Sequence, residues 1–345
     1  MIAAIALLVF ASLAVSGASL LANADWPSRA PALAIWAWQC LSGGAALALV
    51  FAGLAVALPE TPLRAAVARA LEACSVALAR HYSTPGGLPI AVAALTISLF
   101  IVVRFGYMVT RDASMACRAR RRQLATLGLV TQDHPSGFKL LPNDLPMVFC
   151  VPGRRPTVVV TRGAIEQLTT QQLDLVLAHE RQHLHARHDL ALTLAGALAR
   201  TFGNRGLFQQ AAQQIAQLAE MQADDTAHRV GDRRELAEAL LRLSPSGRDL
   251  NAGATAATAV ARVRRLAMPA APLIATERYT AAVLGAALLG APFGLALAPA
   301  VEAAIHDCCP VVTAEPVFPG QTAVSPPMHP ASRTDLLDIQ RPSRL

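Results

Sequence analysis

Charge is scarce in this chain. Only 15% of its 345 residues are charged and 5% are aromatic, against about 25% charged in soluble domains, which excludes an ordinary soluble globular protein. Lysine is nearly absent, Lys139 being the sole one, so the net charge of +7 rests on arginine. Positive charge of that kind beside apolar runs is membrane-flanking charge, and no direct nucleic-acid contact is expected. The cysteines Cys40, Cys74, Cys117, Cys150, Cys308 and Cys309 form no CxxC pair, which excludes a disulfide framework or a cysteine-based zinc knuckle. A glycine-rich phosphate loop and a Ser/His/Asp arrangement are missing too.

What the sequence does have is long hydrophobic runs. Four of them approach the 20 or so residues that cross a bilayer: residues 1–22, 32–58, 88–109 and 279–300. The third is the shortest and is completed past Arg104, whose side chain is expected to snorkel. Ala22-Asn23-Ala24 resembles a signal-peptide cleavage site, but a basic leader is missing and the apolar run is long for a signal, so a retained span is favoured. Arginines cluster at 104–122 and 262–278, on both sides of residues 111–278. The positive-inside rule therefore puts that stretch in the cytoplasm and the N-terminus and C-terminal tail outside.

The expected architecture is a mainly α, multi-pass protein of the cell membrane. Residues 1–110 hold three spans, 111–278 a cytoplasmic α+β domain, 279–300 the fourth span, and 301–345 an extracytoplasmic tail. The tail's Pro, Ser and Thr content reads as disordered. Residues 64–80 carry an alanine-rich helical pattern suited to the membrane surface. Inside the domain, MVFCV at 147–151 and TVVVT at Thr157–Thr161 flank a Pro/Gly/Arg turn and predict a hairpin or adjacent strands. Helices are expected at 164–168, at 171–198 with Thr170 as N-cap, at 207–229, at 232–243 and, after a 244–247 loop, at 254–266.

The decisive string is VLAHERQHLHARHD at 176–189. His179 and His183 stand one helical turn apart in an HExxH motif, so both imidazoles can reach one zinc ion. Glu180 projects beside them and can take a proton from water. Glu220 and Asp224 form a second i, i+4 pair about 37 residues on. The Gly203–Gly206 break allows the two helices to run antiparallel, so Glu220 can complete a His2Glu set while Asp224 orients a ligating imidazole. One zinc ion per chain is expected. His228 falls roughly on the Glu220 face and is a candidate contact for a transition-state oxyanion. His188 is a second candidate for orienting the site, with a surface or capping role left open. His185 points away from the metal face, and Cys40 and Cys150 read as small core residues. Thr157–Thr161 is either a plain structural strand or an edge on which a substrate peptide adds.

HExxH followed by ExxxD, after three spans and before a fourth, resembles the BlaR/MecR-type integral-membrane metallopeptidases. TVVVT and then RGAIEQLTTQQLDLVLAHE resemble the strand, linker and catalytic helix of that family. The HtpX and CAAX-prenyl endopeptidases are similar in their zinc core, and His188 echoes an extra histidine there. The resemblance spans about residues 1–279, with its specific part at 148–229. It implies a zincin-like fold in which His179, His183 and Glu220 hold zinc, Glu180 is the general base and Asp224 supports the ligands. The implied reaction is peptide-bond hydrolysis, with zinc activating water and polarising the carbonyl and Glu180 passing a proton to the leaving amine.

The implied partners are the lipid bilayer and a protein or peptide substrate, such as a cytoplasmic repressor of the BlaI/MecI kind cleaved in signal transduction. The chain departs from the family's β-lactam sensors in having no penicillin-binding domain and no SxxK in its tail, so antibiotic sensing does not carry over. Two other readings stand beside this one: an HtpX-like quality-control protease, and a non-catalytic membrane sensor with a structural metal site. The order of spans argues against the first, and the presence of Glu180 against the second. His306, Asp307, Cys308, Cys309, Met328 and His329 form a loose set of metal-ligating side chains in the tail, for which no sensory role is expected.

Overall fold

A computed structural model describes residues 1–60, 67, 69, 82, 86–153, 156–243, 262, 265–267 and 271–306. The expectations for residues 64–80, the 244–247 loop, most of the 254–266 helix and the tail from 307 onward lie outside these residues. Along the chain come α1 (Ile2–Asn23), a short α2 (Trp26–Arg29), α3 (Pro31–Ala57) and α4 (Gly87–Val130). Four strands follow, β1 (Gln132–Asp133), β2 (Lys139–Leu141), β3 (Val148–Val151) and β4 (Thr157–Thr161). The chain then returns to helix in α5 (Arg162–Gln167), α6 (Thr170–His185), α7 (His188–Thr201), α8 (Gly206–His228), α9 (Arg233–Leu243) and α10 (Ala275–His306).

Among the described residues, four helices are long and apolar enough to cross a membrane: α1, α3, α4 and the Ala275–Glu302 part of α10. Between apolar helices in lipid, close packing replaces the hydrophobic effect as the force of association, and small residues permit it. The helix at the centre, α3, packs against α1, α4, α8 and α10. A Cβ on Gly44 would collide with the Leu288 carbonyl of α10, and one on Gly53 would collide with Ser98 of α4. Ser98 Oγ instead donates to the Val50 carbonyl of α3 at 3.0 Å. Outward, Leu13, Ile97, Phe100 and Leu284 stay exposed, as a lipid-facing surface requires.

Two features depart from the sequence expectation. The helix of the third span continues well past residue 109. As one 44-residue helix, α4 is about 66 Å long, more than twice a hydrocarbon core of about 30 Å, and delivers the chain directly to β1. Arg104 does not snorkel to water either. Its Nε and Nη2 donate to the Thr201 and Arg200 carbonyls at 3.0 and 3.1 Å at the end of α7, where Arg200 O also accepts from Gly203 N at 3.3 Å. The second departure concerns the 111–278 domain, which is not a free-standing unit. Ala195, Leu198, Phe208 and Ile215 from α7 and α8 share one core with Ala34, Trp38 and Leu41 of α3, and Gln39 Nε2 donates to the Ala191 carbonyl at 2.9 Å.

The sheet has the order β1-β2-β4-β3. It gives β4 a parallel neighbour in β2 and an antiparallel one in β3, with Val148 opposite Val160. The pairing of β3 with β4 agrees with the adjacent-strand expectation, but β4 is interior and has no free edge. The edges are β1 and β3, and β3 is the one beside β4.

Candidate metal centre

Helix α6 begins at a capping box. Thr169, one residue before the expected N-cap, accepts from Gln172 N at 3.2 Å, while Gln172 Oε1 accepts from Thr169 N at 3.3 Å. These two bonds satisfy donors that a helix start leaves unpaired. Leu175, Val176 and Leu177 are buried, and they fix the roll of α6 so that His179 and His183 face α8. The long helix expected over 171–198 is in fact two. Arg187 takes a left-handed conformation at φ 53°, which turns the chain so that His188, opening α7, points back at His183.

His179 is buried and His183 nearly so. Their Nε2 atoms lie 3.2 Å apart and face Glu220, whose carboxylate oxygens are 3.6 Å from His179 Nε2 and 3.5 Å from His183 Nε2. One ligand atom from each of the three residues lies within 4.8 Å of the others. Each imidazole is held from behind. Asp224, 1% exposed, places Oδ1 3.0 Å from His179 Nδ1, a contact that lies off the ideal hydrogen-bond line. His188, 3% exposed, sets its Nδ1 2.8 Å from His183 Nδ1, and its Nε2 is 3.0 Å from Gln222 Oε1. Gln222 Oε1 can only accept, so His188 carries its proton on Nε2 and accepts at Nδ1 from His183. That chain leaves His183 Nε2 with a free lone pair toward the cluster. The donor set is therefore two imidazole nitrogens and one carboxylate converging on a single point, which fits zinc with a further position left for water or substrate.

Electrostatics at the cluster follow the same contacts. Burial opposes charge on His179, yet Asp224 and Glu220 outweigh it and push its pKa up to about 9. Burial and the adjacent positive His179 bring His183 down to about 4. Burial works against ionisation of Glu220 and Asp224, but Arg262 and His179 hold both below the usual carboxylate range. Burial lifts Glu180 above its ordinary value.

Arg262 was read in the sequence only as membrane-flanking charge. It donates through Nε and Nη2 to the two Asp224 oxygens at 2.8 and 2.5 Å, and its Nη1 is 2.9 Å from Glu220 Oε2. No local motif marks it. Cys150, expected as a core residue, lies in the cleft against Glu180, and burial followed by the nearby Glu180 charge pushes its thiol up to about 12. At that value it is a protonated donor. His228 is placed elsewhere: it lines a separate cavity with Ser28, Arg229 and Arg265. His185 is exposed, as expected.

The cluster opens into a cleft of about 460 Å³ bounded by Val148, Phe149 and Cys150 on one side and by Leu240, Leu243 and Arg262 on the other. Residues 147–271 match the model of peptidase family M48. The match covers roughly a third of the chain and makes that stretch similar to M48 peptidases. It runs from β3 through α9 to Arg262 and contains every residue of the His179, His183, Glu220 cluster and its supports. It does not single out the BlaR/MecR type. Neither a curated protein nor a solved structure matches the chain.

Proposed function

We propose that the chain is a membrane-embedded zinc-dependent endopeptidase whose ligands are His179, His183 and Glu220 and whose general base is Glu180. The observation that carries this reading is the convergence of the three ligand atoms within 4.8 Å in a cleft that also holds Glu180. A bound zinc would supply Lewis-acid polarisation of the scissile carbonyl and an activated water. Glu180 sits next to the ligands at the cleft wall, raised above its ordinary pKa by burial, which suits it to take a proton from water and return it to the leaving amine. Cys150 donates its S–H to that carboxylate and so helps to orient it. Asp224 and His188 hold the two imidazoles, and Arg262 holds Asp224 and Glu220.

The substrate in this reading is an extended polypeptide segment. Because β3 ends the sheet and lines the cleft, a strand added along it would lie across the cluster with its backbone fixed by main-chain hydrogen bonds. This moves the substrate-edge role from Thr157–Thr161, which is interior, to Val148–Val151. Regulatory cleavage of a BlaI/MecI-like repressor, with the zinc region in the cytoplasm, is the physiological form of the activity that the sequence resemblance favours.

The test uses full-length protein in detergent with one equivalent of zinc. Wild type should cleave casein and the purified repressor, while Glu180→Gln should retain zinc and lose cleavage. Cleavage that persists in Glu180→Gln would remove the assignment. Cleavage of casein without cleavage of the repressor would keep the endopeptidase and discard the regulatory substrate. A probe introduced in the Asp133–Ser136 turn, labelled from outside intact cells, would overturn the cytoplasmic placement.

A further inference from the structure

A second site lies away from the metal cluster, where α1, α3 and α10 diverge. They enclose a cavity of about 740 Å³ that runs from Phe10 and Leu13 to Trp26 and Glu277. Phe10 to Asn23 is about 20 Å of helix, somewhat more than half of a hydrocarbon core of about 30 Å. Its walls are apolar along most of that length and turn polar only at Thr276, Glu277 and Thr280. Three wall residues, Leu13, Leu20 and Leu284, are at the same time more than half exposed at the flank of the bundle. The cavity therefore opens sideways, toward the bilayer.

Its polar end adjoins a basic pocket. Leu273 lines both the apolar cavity and a second one of about 570 Å³ that contains Arg29, Arg229 and Arg278. Arg29 and Arg229 also line a third, of about 300 Å³, with Arg233, Arg265 and His228. Two of the five guanidiniums are matched by carboxylates: Arg29 meets Glu277 at 3.6 Å and Arg265 meets Asp225 at 2.8 Å. Arg229, Arg233 and Arg278 have no side-chain hydrogen bond or ion pair with another described residue. His228 Nδ1 is buried without a partner among the described residues.

We propose that this is a binding site for an anionic phospholipid, with an acyl chain in the cavity between α1, α3 and α10, the head-group phosphate between Arg229 and Arg278, and Arg233 in the adjoining pocket on the far side of Arg229. Basic pockets at the ends of spans recognise such head groups, and the Trp26 indole at the junction suits the boundary between chain and head group. An apolar transmembrane helix of a substrate protein would fill the lateral cavity but leave the arginines at its polar end unmatched. A free aqueous anion would satisfy the arginines but leave the lateral apolar cavity without a function. The head group would bridge the α1–α3 connection, the end of α8, the start of α9 and the start of α10, four parts of the chain that are otherwise linked here through few side chains.

Lipid binding to the full-length protein in detergent, read by native mass spectrometry, tests the site with phosphatidylglycerol, phosphatidylcholine and inorganic phosphate as probes. Phosphatidylglycerol should be retained at least about tenfold more tightly than phosphatidylcholine. Replacing Arg229, Arg233 and Arg278 together by alanine should weaken it about 100-fold at low salt and erase the preference. Arg234→Ala, at an exposed arginine paired only with Glu238, should change nothing. Ala281→Phe fills the cavity from α10 and should weaken phosphatidylglycerol about tenfold. Gly17→Leu fills it from α1, where a Cβ meets only Leu41 Cδ1 at 3.8 Å, and serves if the first variant does not fold. Equal retention of both lipids, undiminished binding in the triple variant, or undiminished binding in the filled-cavity variants would each overturn the proposal. Displacement of phosphatidylglycerol by an equal concentration of inorganic phosphate would reduce the site to an anion pocket and would overturn it as well.

Discussion

The pairing of Arg262 with Asp224 can be measured apart from catalysis. Arg262→Met keeps the length and apolar stem of the side chain and removes the guanidinium, and Asp224→Asn keeps the shape and removes the charge. Asp224 is 1% exposed and the Arg262 side chain 14%, with two charge-assisted bonds of 2.8 and 2.5 Å between them, so solvent screening is slight. Removing one member of such a buried pair costs about 3–5 kcal/mol. The lower end applies to Arg262→Met, because Asp224 keeps its contact with His179. At about 2–4 °C per kcal/mol, the melting midpoint of chelated protein in detergent should fall by roughly 6–12 °C. Asp224→Asn leaves Arg262 with Glu220 and should cost about 1.5–3 kcal/mol, the value of a hydrogen bond to a charged group. In the double variant neither charge is stranded, so the combined loss should fall short of the sum by about 1–3 kcal/mol. Additivity within about 0.5 kcal/mol would refute the argument that these two side chains form one unit.

Four further outcomes follow from the same geometry. His188→Ala should lower zinc affinity about 10- to 100-fold, the usual effect of removing a group that orients a ligating histidine. A chelator competition with unchanged affinity would show that the His183–His188 contact does not orient the metal ligand. Glu180→Gln should lose at least about 10²-fold in rate with zinc content unchanged by atomic absorption. Burial raises the Glu180 pKa, and the base acts as a carboxylate, so kcat/KM should fall as pH drops through that raised value. Cys150→Ala removes a thiol donor that favours the carboxylate and should move this acid limb to higher pH; a limb that stays in place would separate Cys150 from the base.

The His179, His183, Glu220 cluster was legible because it is periodic: an i, i+4 pair on α6 and another on α8 present the same face wherever the helices lie. The supports were legible only in part. Asp224 follows from spacing, whereas His188 depends on a left-handed Arg187 that no glycine or proline announces, so a continuous helix was the natural reading. Arg262 lies 38 residues from Asp224 in a stretch whose arginines look alike, and only the folded chain tells a buried guanidinium from a lipid-facing one. The edge strand was misplaced for a topological reason. Thr157–Thr161 is flanked in sequence by one strand, and its second neighbour, β2, arrives by a parallel crossover that local pattern does not encode.

The largest departure lies in α7 and α8. An amphipathic helix shows that one face is covered, not what covers it, and the apolar faces of these two helices read equally well as the core of a separate domain. In the structure α3 covers them. Gln39, whose amide meets the Ala191 carbonyl, is eight residues past the start of α3, or about 12 Å along it. Ala191 in turn is only three residues, about 4.5 Å of helix, from His188. The group that orients His183 is thus fixed against the early turns of an apolar span, and Glu220 and Asp224 stand on a helix that packs against the same span. A shift of α3 relative to α8 would therefore be transmitted to the ligands without an intervening hinge. Packing within the bundle and geometry at the metal centre are two aspects of one set of contacts.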